Sequence, residues 1–282
     1  MDKKKNIAIQ GIKGSFHHIV ANQYFGNEIE LEECLSFTEI PELINNQAVD
    51  GAVMAIENSL AGSILPNYTL IDEFDLNIQG EVHFPIHHHL MGLSGQSLSD
   101  IKEVWSHPMA ILQCRTFFRK HRHIKLVEES DTAESAKQIH DKRLKGIAAI
   151  ASKKAAEIYG LHIIENEIQT RKQNYTRFFI LKKRNGNLER PAAINKASLK
   201  FITNHQTGSL AEVLNIFSAF GMNLSKIQSL PILDKPWKYA FFSDVIFDDY
   251  LHFEKAIALA REKVSSLKIL GEYQQSKRKY DR

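Results

Sequence analysis

The chain has 282 residues, of which 43% are hydrophobic and 24% are charged, and its formal net charge is +3. This length accommodates about two domains, and the apolar content is too high for a disordered chain. The charge is too small for a dedicated nucleic-acid binder. No apolar run approaches the ~18 residues of a membrane span, no signal region opens the chain, and the two cysteines match no metal or redox spacing. We therefore expect a cytoplasmic protein without nucleic-acid or membrane partners.

The first half of the chain alternates short apolar strands with helical stretches. Over residues 6–80 the pattern predicts strands at 7–10, 31–37 and 51–56, and helices at about 17–24 and from Ile40, the second capped by Thr38. Over 81–170 it predicts strands at 82–91, 104–106 and 147–152, and helices from Pro108 to about Arg122, from Ala133, and up to Gly160. A buried strand follows at 178–181. Such alternation is typical of an α/β sheet, which binds ligands at the carboxyl ends of its strands.

The C-terminal third has a different order of elements. Residues 183–196 are polar and turn-rich, which predicts a linker. The pattern then predicts a strand at 197–203, a helix at 209–220, strands at 224–230 and 239–247, a helix at 253–264 and a strand at 266–273. This βαββαβ order indicates a ferredoxin-like domain.

Polar side chains follow several predicted strands or begin helices. Thr176 and Arg177 place a hydroxyl beside a fixed cation that can hold a carboxylate, although such a pair is commonly a solvated surface pair. Asn58 and Ser59, the pair Ser106 and His107, and Thr132 each suit a polar or anionic ligand. Each group is explained as well by helix capping.

A run of histidines invites a metal interpretation, since His83, His87, His88 and His89 lie close together. On a strand His87 and His89 share one face, whereas His88 points to the other. No matching carboxylates lie nearby in the sequence, so we predict no metal. The Gly11–Ser15 loop lacks the third glycine of a dinucleotide site and the lysine of a P-loop, and no nucleotide is predicted.

In this order and spacing, the motifs resemble the prephenate dehydratase family over nearly the whole chain. The segments that carry the resemblance are Gly11–Phe16, Ile56–Ser59 with Gly62, Ser106–Pro108 with Gln113 and Cys114, Thr132 and Ala133, Ala149–Ser152, Tyr159–Leu161, and Asn174 with Thr176–Phe178. A C-terminal ACT regulatory domain is indicated by Gly208–Leu210, Gly221–Leu224 and Lys238–Phe242.

The resemblance implies an α/β fold with a two-lobed, type II periplasmic-binding-like catalytic domain at 1–182 and an ACT domain at 197–273. Lobe one would comprise about 6–80 plus 170–182 and lobe two about 81–169, with a linker at 183–196 and a tail at 274–282. It implies conversion of prephenate to phenylpyruvate in phenylalanine synthesis, without a cofactor. It also implies a homodimer or homotetramer that L-phenylalanine inhibits.

The chemistry of this reaction leads to a hypothesis for the residue roles. Arg177 would anchor the side-chain carboxylate of prephenate, and Thr176 would donate to the departing hydroxyl, with His107 as the alternative donor. The substrate would further contact Ser15, Glu57, Asn58, Ser59, Ser106, His107, Gln113, Thr132, Ala133, Asn174 and Phe178. The effector would contact Gly208, Ser209, Leu210, Asn223 and Leu224.

Some positions depart from the family pattern. His17, Met109 and Thr170 stand where the family usually has Ser, Gln and Asp, and Gln228–Pro231 replaces a Glu-Ser-Arg-Pro run. Catalysis is therefore expected more firmly than phenylalanine inhibition. No chorismate mutase segment is expected. Arogenate dehydratase and a non-catalytic amino-acid sensor stay open as alternatives.

Overall fold

The computed structural model describes residues 4–184, 193–204, 206–232 and 238–276. The first part of the chain folds into β1 (Lys5–Gln10), α1 (Phe16–Phe25), β2 (Ile29–Cys34), α2 (Ile40–Asn45), β3 (Gly51–Asn58), β4 (Gly62–Ser63), α3 (Leu65–Glu73) and β5 (Leu76–Pro85). Next come β6 (His89–Gly92), a 3-10 turn (Leu98–Asp100), β7 (Glu103–Ser106), α4 (Pro108–Gln113), α5 (Arg115–Phe118), β8 (Lys125–Glu128), α6 (Thr132–Lys142), β9 (Ile147–Ala151), α7 (Lys153–Tyr159) and β10 (His162–Glu165). The chain continues through β11 (Tyr175–Lys183), β12 (Lys196–Thr203), α8 (Ser209–Ala219), β13 (Asn223–Pro231), β14 (Tyr239–Ile246), α9 (Tyr250–Lys263) and β15 (Val264–Tyr273).

Two mixed sheets form the part of the chain that the motifs assign to catalysis. The first has the strand order β2-β1-β3-β11-β5, with β4 paired to β3, and β1 runs parallel to both β2 and β3. The second has the order β10-β6-β9-β7-β8. Residues 51–56 are buried throughout, as expected for a strand covered on both faces. The predicted α/β class with two sheets is confirmed.

The C-terminal sheet has the order β13-β14-β12-β15, and its strand pairs are antiparallel. Helices α8 and α9 bury Val213, Phe217 and Phe253 against Leu199 and Phe201 of β12. The predicted βαββαβ, ferredoxin-like arrangement is therefore confirmed. It was predictable because the hydrophobic periodicity of each element matches its buried face.

The structure corrects several predicted elements. The strand predicted at 82–91 is interrupted after Pro85, where Ile86 N–H donates to Asn174 O and His88 N–H donates to the side chain of Gln169. The helix predicted from Pro108 to about Arg122 divides into α4 and α5 at Cys114. Thr38 does not cap α2, because the N-cap residue is Glu39, and the Thr38 hydroxyl contacts Ser36 Oγ instead. Helix α3 and strands β8 and β10 were not predicted.

The described residues form two compact units. Unit 1 comprises the residues up to 64 together with 82–178, and unit 2 comprises 65–81 together with those from 179 onward. Residues 65–81, assigned from the sequence to lobe one, thus cluster with the C-terminal residues. Most of the predicted linker, at 185–192, and most of the tail, at 277–282, lie outside the described residues.

Unit 2 contains a buried ion pair. Lys196 Nζ lies 3.0 and 2.9 Å from the two carboxylate oxygens of Glu81, and both side chains are almost fully buried. In the same unit, Tyr68 of α3 packs its ring against Phe179 and Phe242. No helix in the described part of the chain has the length and apolar character needed to cross a membrane.

Candidate active site

A cavity of about 280 Å³ lies within unit 1 and gathers the ends of several elements. Its apolar wall includes Phe16, Phe37, Ile64, Ile86 and Phe178. Its polar wall includes Gln10, Ser15, His17, Asn58, Ser63, His88, His107, Gln113, Asp131, Thr132 and Thr176. Among the described residues that line it, none is a lysine or an arginine.

The carboxamide of Asn58 is the centre of a hydrogen-bond network in the polar wall. Its Oδ1 accepts from the backbone N–H groups of Leu60 and Ala61, at 3.0 and 2.9 Å. Its Nδ2 therefore faces the other way and lies 3.0 Å from Thr176 Oγ1, 2.8 Å from Asn174 Oδ1 and 3.1 Å from Tyr175 O. Because Thr176 Oγ1 accepts from Asn58, the hydroxyl hydrogen of Thr176 is left to donate elsewhere.

A second amide extends this network. Asn174 Nδ2 donates to Gln113 Oε1 at 2.8 Å, and His88 Nε2 lies 2.8 Å from the same oxygen. Gln113 lines the cavity, whereas Asn174 is buried behind it with 1% of its surface exposed. The carbonyl end of Gln113 is thus occupied by two donors, which leaves its NH2 group for a ligand.

Three helix N-termini meet at the cavity. Ser15, His107 and Asp131 are the N-cap residues of α1, α4 and α6, and each accepts a hydrogen bond from the backbone of its own first turn. At α1 the first backbone N–H groups and the positive end of the helix dipole favour an anion, whereas at α6 the carboxylate of Asp131 already accepts the N–H groups of Ala133 and Glu134. The cavity can therefore attract carboxylates without a basic side chain in its wall.

Burial changes the protonation of the groups that line the cavity. Desolvation lowers the pKa of His17 to about 3 and that of His88 to about 4, so both imidazoles are neutral at pH 7. Burial also lowers the pKa of His107, against the opposing charges of Asp131 and Glu128. Burial raises the pKa of Asp131, although backbone N–H groups of α6 oppose that shift.

The structure does not bring Arg177 to the cavity wall. Thr176 and Phe178 line the cavity, and Arg177 stands between them on β11, where successive side chains point to opposite faces. Arg177 is 6% exposed and is not among the described residues that line the cavity. The predicted direct contact between Arg177 and a carboxylate in the same cavity as Thr176 is therefore not supported.

Other predicted residues are not among the described residues that line the cavity. Ser106 is fully buried and its hydroxyl donates to Ile150 O at 2.7 Å, so it joins two strands of the second sheet. Ser59 Oγ accepts from Tyr175 N–H, and Ala133 N–H is engaged by the Asp131 cap. Glu57 alternates with Asn58 on β3 and is not among the described residues lining the cavity. The predicted residues that do line it are Ser15, Asn58, His107, Gln113, Thr132, Thr176 and Phe178.

Several lining residues were missed from the sequence. His17 and Phe16 belong to the first turn of α1, directly after Ser15, which was a predicted substrate contact. His88 was considered only as part of a metal site, and Asp131 only as a helix cap. Among the described residues, no group of three or more His, Cys, Asp or Glu side chains is arranged to hold a metal ion.

A second, shallower cavity lies in unit 2 at the start of α8. It is lined by Thr203, Gln206, Thr207, Gly208, Ser209, Leu210, Ala211 and Leu214. The structure thus brings together Gly208, Ser209 and Leu210 of the predicted effector set. Asn223 and Leu224 are not among these residues, and Leu224 packs against the core of the C-terminal sheet.

Comparison with known proteins gives a consistent picture. Residues 7–186 match the model of the family described as prephenate dehydratase. The bifunctional chorismate mutase/prephenate dehydratase of Aquifex aeolicus is 33% identical over 97% of this chain and 74% of the relative. Arogenate dehydratase/prephenate dehydratase 2 of Arabidopsis thaliana is 35% identical over 95% of this chain and 72% of the relative.

Two solved structures share the fold over nearly the full length. Prephenate dehydratase in complex with L-Phe from Arthrobacter aurescens superposes with a TM-score of 0.84 at 27% identity, covering 95% of this chain and 89% of that one. GqqA, described as a novel type of quorum quenching acylase, superposes with a TM-score of 0.87 at 28% identity, covering 96% and 98%. On the family match and the full-length similarity, this chain belongs to the prephenate dehydratase family.

Proposed function

We propose that the cavity of unit 1 carries out the decarboxylative dehydration of prephenate to phenylpyruvate, with the hydroxyl of Thr176 donating to the departing oxygen. The observation that carries this assignment is the 3.0 Å contact in which Asn58 Nδ2 donates to Thr176 Oγ1. That contact uses an acceptor position of the hydroxyl and leaves its hydrogen for the substrate.

The reaction removes two groups from one ring. The bond to the ring carboxylate breaks and releases carbon dioxide, its electron pair moves through the ring, and the carbon–oxygen bond at the opposite position breaks. The hydroxide departs with a hydrogen bond from Thr176 and takes up a proton from solvent to become water, while the ring becomes aromatic. Thr176 stabilises the oxygen as negative charge develops on it, which is when a weak acid of this kind is effective.

His107 is the second candidate donor. Its Nδ1 accepts from Met109 N–H at 3.2 Å, so in the neutral ring the hydrogen is on Nε2. Because burial lowers the pKa of His107, the neutral imidazole predominates at pH 7 and is a weak acid. The position of the Thr176 hydroxyl in the Asn58 network favours Thr176.

We assign the binding of the two substrate carboxylates to different features of the cavity. The side-chain carboxylate is held by the N-terminus of α1 at Ser15, by the hydroxyl of Thr132 and by the NH2 group of Gln113. The ring carboxylate faces Phe178 and Ile86, where poor solvation favours its loss as neutral carbon dioxide. The remaining predicted residues support the strands and loops that carry these groups. They are Arg177, Glu57, Ser59, Ser106, Ala133 and Asn174.

The C-terminal domain is proposed to be an ACT regulatory domain that binds L-phenylalanine. Support comes from its ferredoxin-like topology and from the L-Phe complex of the Arthrobacter relative. The effector would occupy the cavity at Gly208–Leu210, and Asn223 and Leu224 on edge strand β13 would complete the site at a subunit interface. A cytoplasmic homodimer or homotetramer is proposed from membership of the family alone.

Incubation of the purified chain with prephenate tests the proposed function. We expect phenylpyruvate, measured by its absorbance in alkali, and a parallel reaction with arogenate separates the two dehydratase activities because its product is phenylalanine. Faster turnover of arogenate would assign the chain to that activity, which the name of the Arabidopsis relative includes. Failure to convert either substrate would favour an amino-acid sensor.

A further inference from the structure

His88 occupies the end of the hydrogen-bond network in unit 1. It lines the cavity, is only 3% exposed, and lies in the segment that separates β5 from β6. Its backbone N–H donates to Gln169 Oε1 at 3.0 Å, and its ring makes an edge contact with Phe16, with centroids 5.8 Å apart. These contacts hold the imidazole in one place.

The polarity of the network is set at its other end by the backbone. Leu60 and Ala61 donate N–H groups to Asn58 Oδ1, which turns Asn58 Nδ2 toward Asn174 Oδ1. Asn174 Nδ2 must then face Gln113 Oε1. Each carboxamide thus has a single orientation that satisfies its neighbours.

Gln113 Oε1 accepts from both Asn174 Nδ2 and His88 Nε2, at 2.8 Å each. An amide oxygen cannot donate, so His88 must carry its hydrogen on Nε2. Nδ1 of His88 then has no hydrogen, and it is buried without a hydrogen-bond partner among the described residues. An unpaired buried nitrogen destabilises the fold, so a histidine here is explained better by the bond that it makes to Gln113.

We propose that His88 is a positioning residue that fixes the carboxamide of Gln113 so that its NH2 group faces the substrate. This inference rests on the proposed dehydratase function. The sequence motifs gave His88 no role in that function. Without the His88 donor, only Asn174 would hold the Gln113 oxygen, and the amide could rotate out of its binding orientation. A small displacement of a group that orients the substrate can reduce turnover by about 10²-fold.

Replacement of His88 by Phe keeps an aromatic ring beside Phe16 but removes the donor. We expect H88F to lower kcat by about 10-fold to 100-fold and to change KM by less than about threefold. H88Q retains an N–H donor, and we expect it to recover most of the lost turnover. In a Q113A background H88F should have no further effect beyond about twofold, because His88 acts through Gln113.

The matched control is H87F, since the neighbouring His87 side chain is 41% exposed, and it should retain wild-type turnover.

The proposal is overturned if H88F turns over as fast as an active wild type, or if H88F and Q113A have additive effects. A readout that does not need turnover is the ¹⁵N NMR spectrum of the imidazole in the full chain. We expect the hydrogen on Nε2 of His88 in the wild type and a changed ratio of tautomers in Q113A. Hydrogen on Nδ1, or an unchanged ratio in Q113A, would refute the proposal even in a chain that converts neither substrate.

Discussion

The carboxamide of Asn58 shows how a backbone contact determines the chemistry of a neighbouring hydroxyl. Two backbone N–H groups fix its oxygen, its nitrogen therefore faces Thr176, and the Thr176 hydroxyl is left as a donor. Loss of the Thr176 oxygen leaves Asn58 Nδ2 with Asn174 Oδ1 and Tyr175 O as acceptors. Removal of the Thr176 hydroxyl therefore leaves Asn58 Nδ2 with hydrogen-bond acceptors.

The imidazole of His17 predicts a pH dependence of stability. The unfolded chain takes up a proton here below about pH 6.5, whereas the folded chain keeps the ring neutral until about pH 3. The unfolded state thus binds more protons between these values, and the free energy of unfolding falls by a few kcal/mol as the pH drops through this window. Urea unfolding at pH 7 and pH 4 measures the fall.

The matched variant for this measurement is H17Q. Its amide oxygen can accept from Ala55 N–H, as His17 Nε2 does at 3.2 Å, but the side chain cannot be protonated. We expect a smaller loss of stability on acidification than in the wild type. An equal loss in both proteins would mean that other groups, not His17, cause the acid sensitivity.

Hydroxyl, amide and imidazole groups at strand ends or helix starts indicated Thr176, Asn58 and His107 from the sequence, and the family resemblance added Gln113. The sequence did not reveal that Arg177 lies outside the cavity wall, although strand alternation places it opposite Thr176 and Phe178. His88 could not be assigned, because its role depends on Gln113, which is 25 positions away.

At the scale of elements, the buried pair of Glu81 on β5 and Lys196 on β12 makes the stability of unit 2 sensitive to the loss of either partner. Removal of one member of a buried pair leaves an uncompensated charge and typically costs about 3–5 kcal/mol. We expect E81L to lower the free energy of unfolding by about this amount, as measured by urea titration. The double variant E81L/K196M should recover most of the loss, because an apolar pair replaces the ionic one. A double variant no more stable than E81L would contradict this account.

Elements with a strong apolar pattern were predictable, whereas elements defined by their partners were not. Strand β3 and helix α8 follow from apolar runs and periodicity alone. Strand β8, with the sequence Lys-Leu-Val-Glu, is half polar and exists because it pairs in parallel with β7. The break after Pro85 likewise depends on contacts with Asn174 and Gln169, which local sequence does not reveal.

At the scale of the whole molecule, effector and substrate should influence each other through the conformational equilibrium of the chain. If phenylalanine binding favours a less competent cavity, a substrate analogue must weaken phenylalanine binding by the same factor. Calorimetry of phenylalanine binding with and without the analogue measures this factor. Equal affinities in both titrations would show that the sites are not coupled.

Gly208 offers a variant that separates effector binding from catalysis. Its φ of 88° lies in the left-handed region, where a side chain strains the backbone, and it lines the proposed effector cavity. We expect G208A to weaken phenylalanine binding at least about tenfold, by calorimetry, with turnover in the absence of phenylalanine unchanged. G26A is the control, because Gly26 has a φ of 90° and a Cβ added at either glycine meets no atom within 4 Å. Equal loss of binding in both would point to a general effect of strain.

The most direct test of the central claim is the turnover of prephenate by T176V. Valine matches threonine in shape, so the hydroxyl alone is lost, and thermal unfolding should confirm that the variant is folded. We expect kcat to fall by about 10²-fold or more with KM changed by less than about threefold, because the hydroxyl acts on the departing oxygen in the transition state. A folded T176V with more than half of the wild-type kcat would show that another group donates to the departing oxygen.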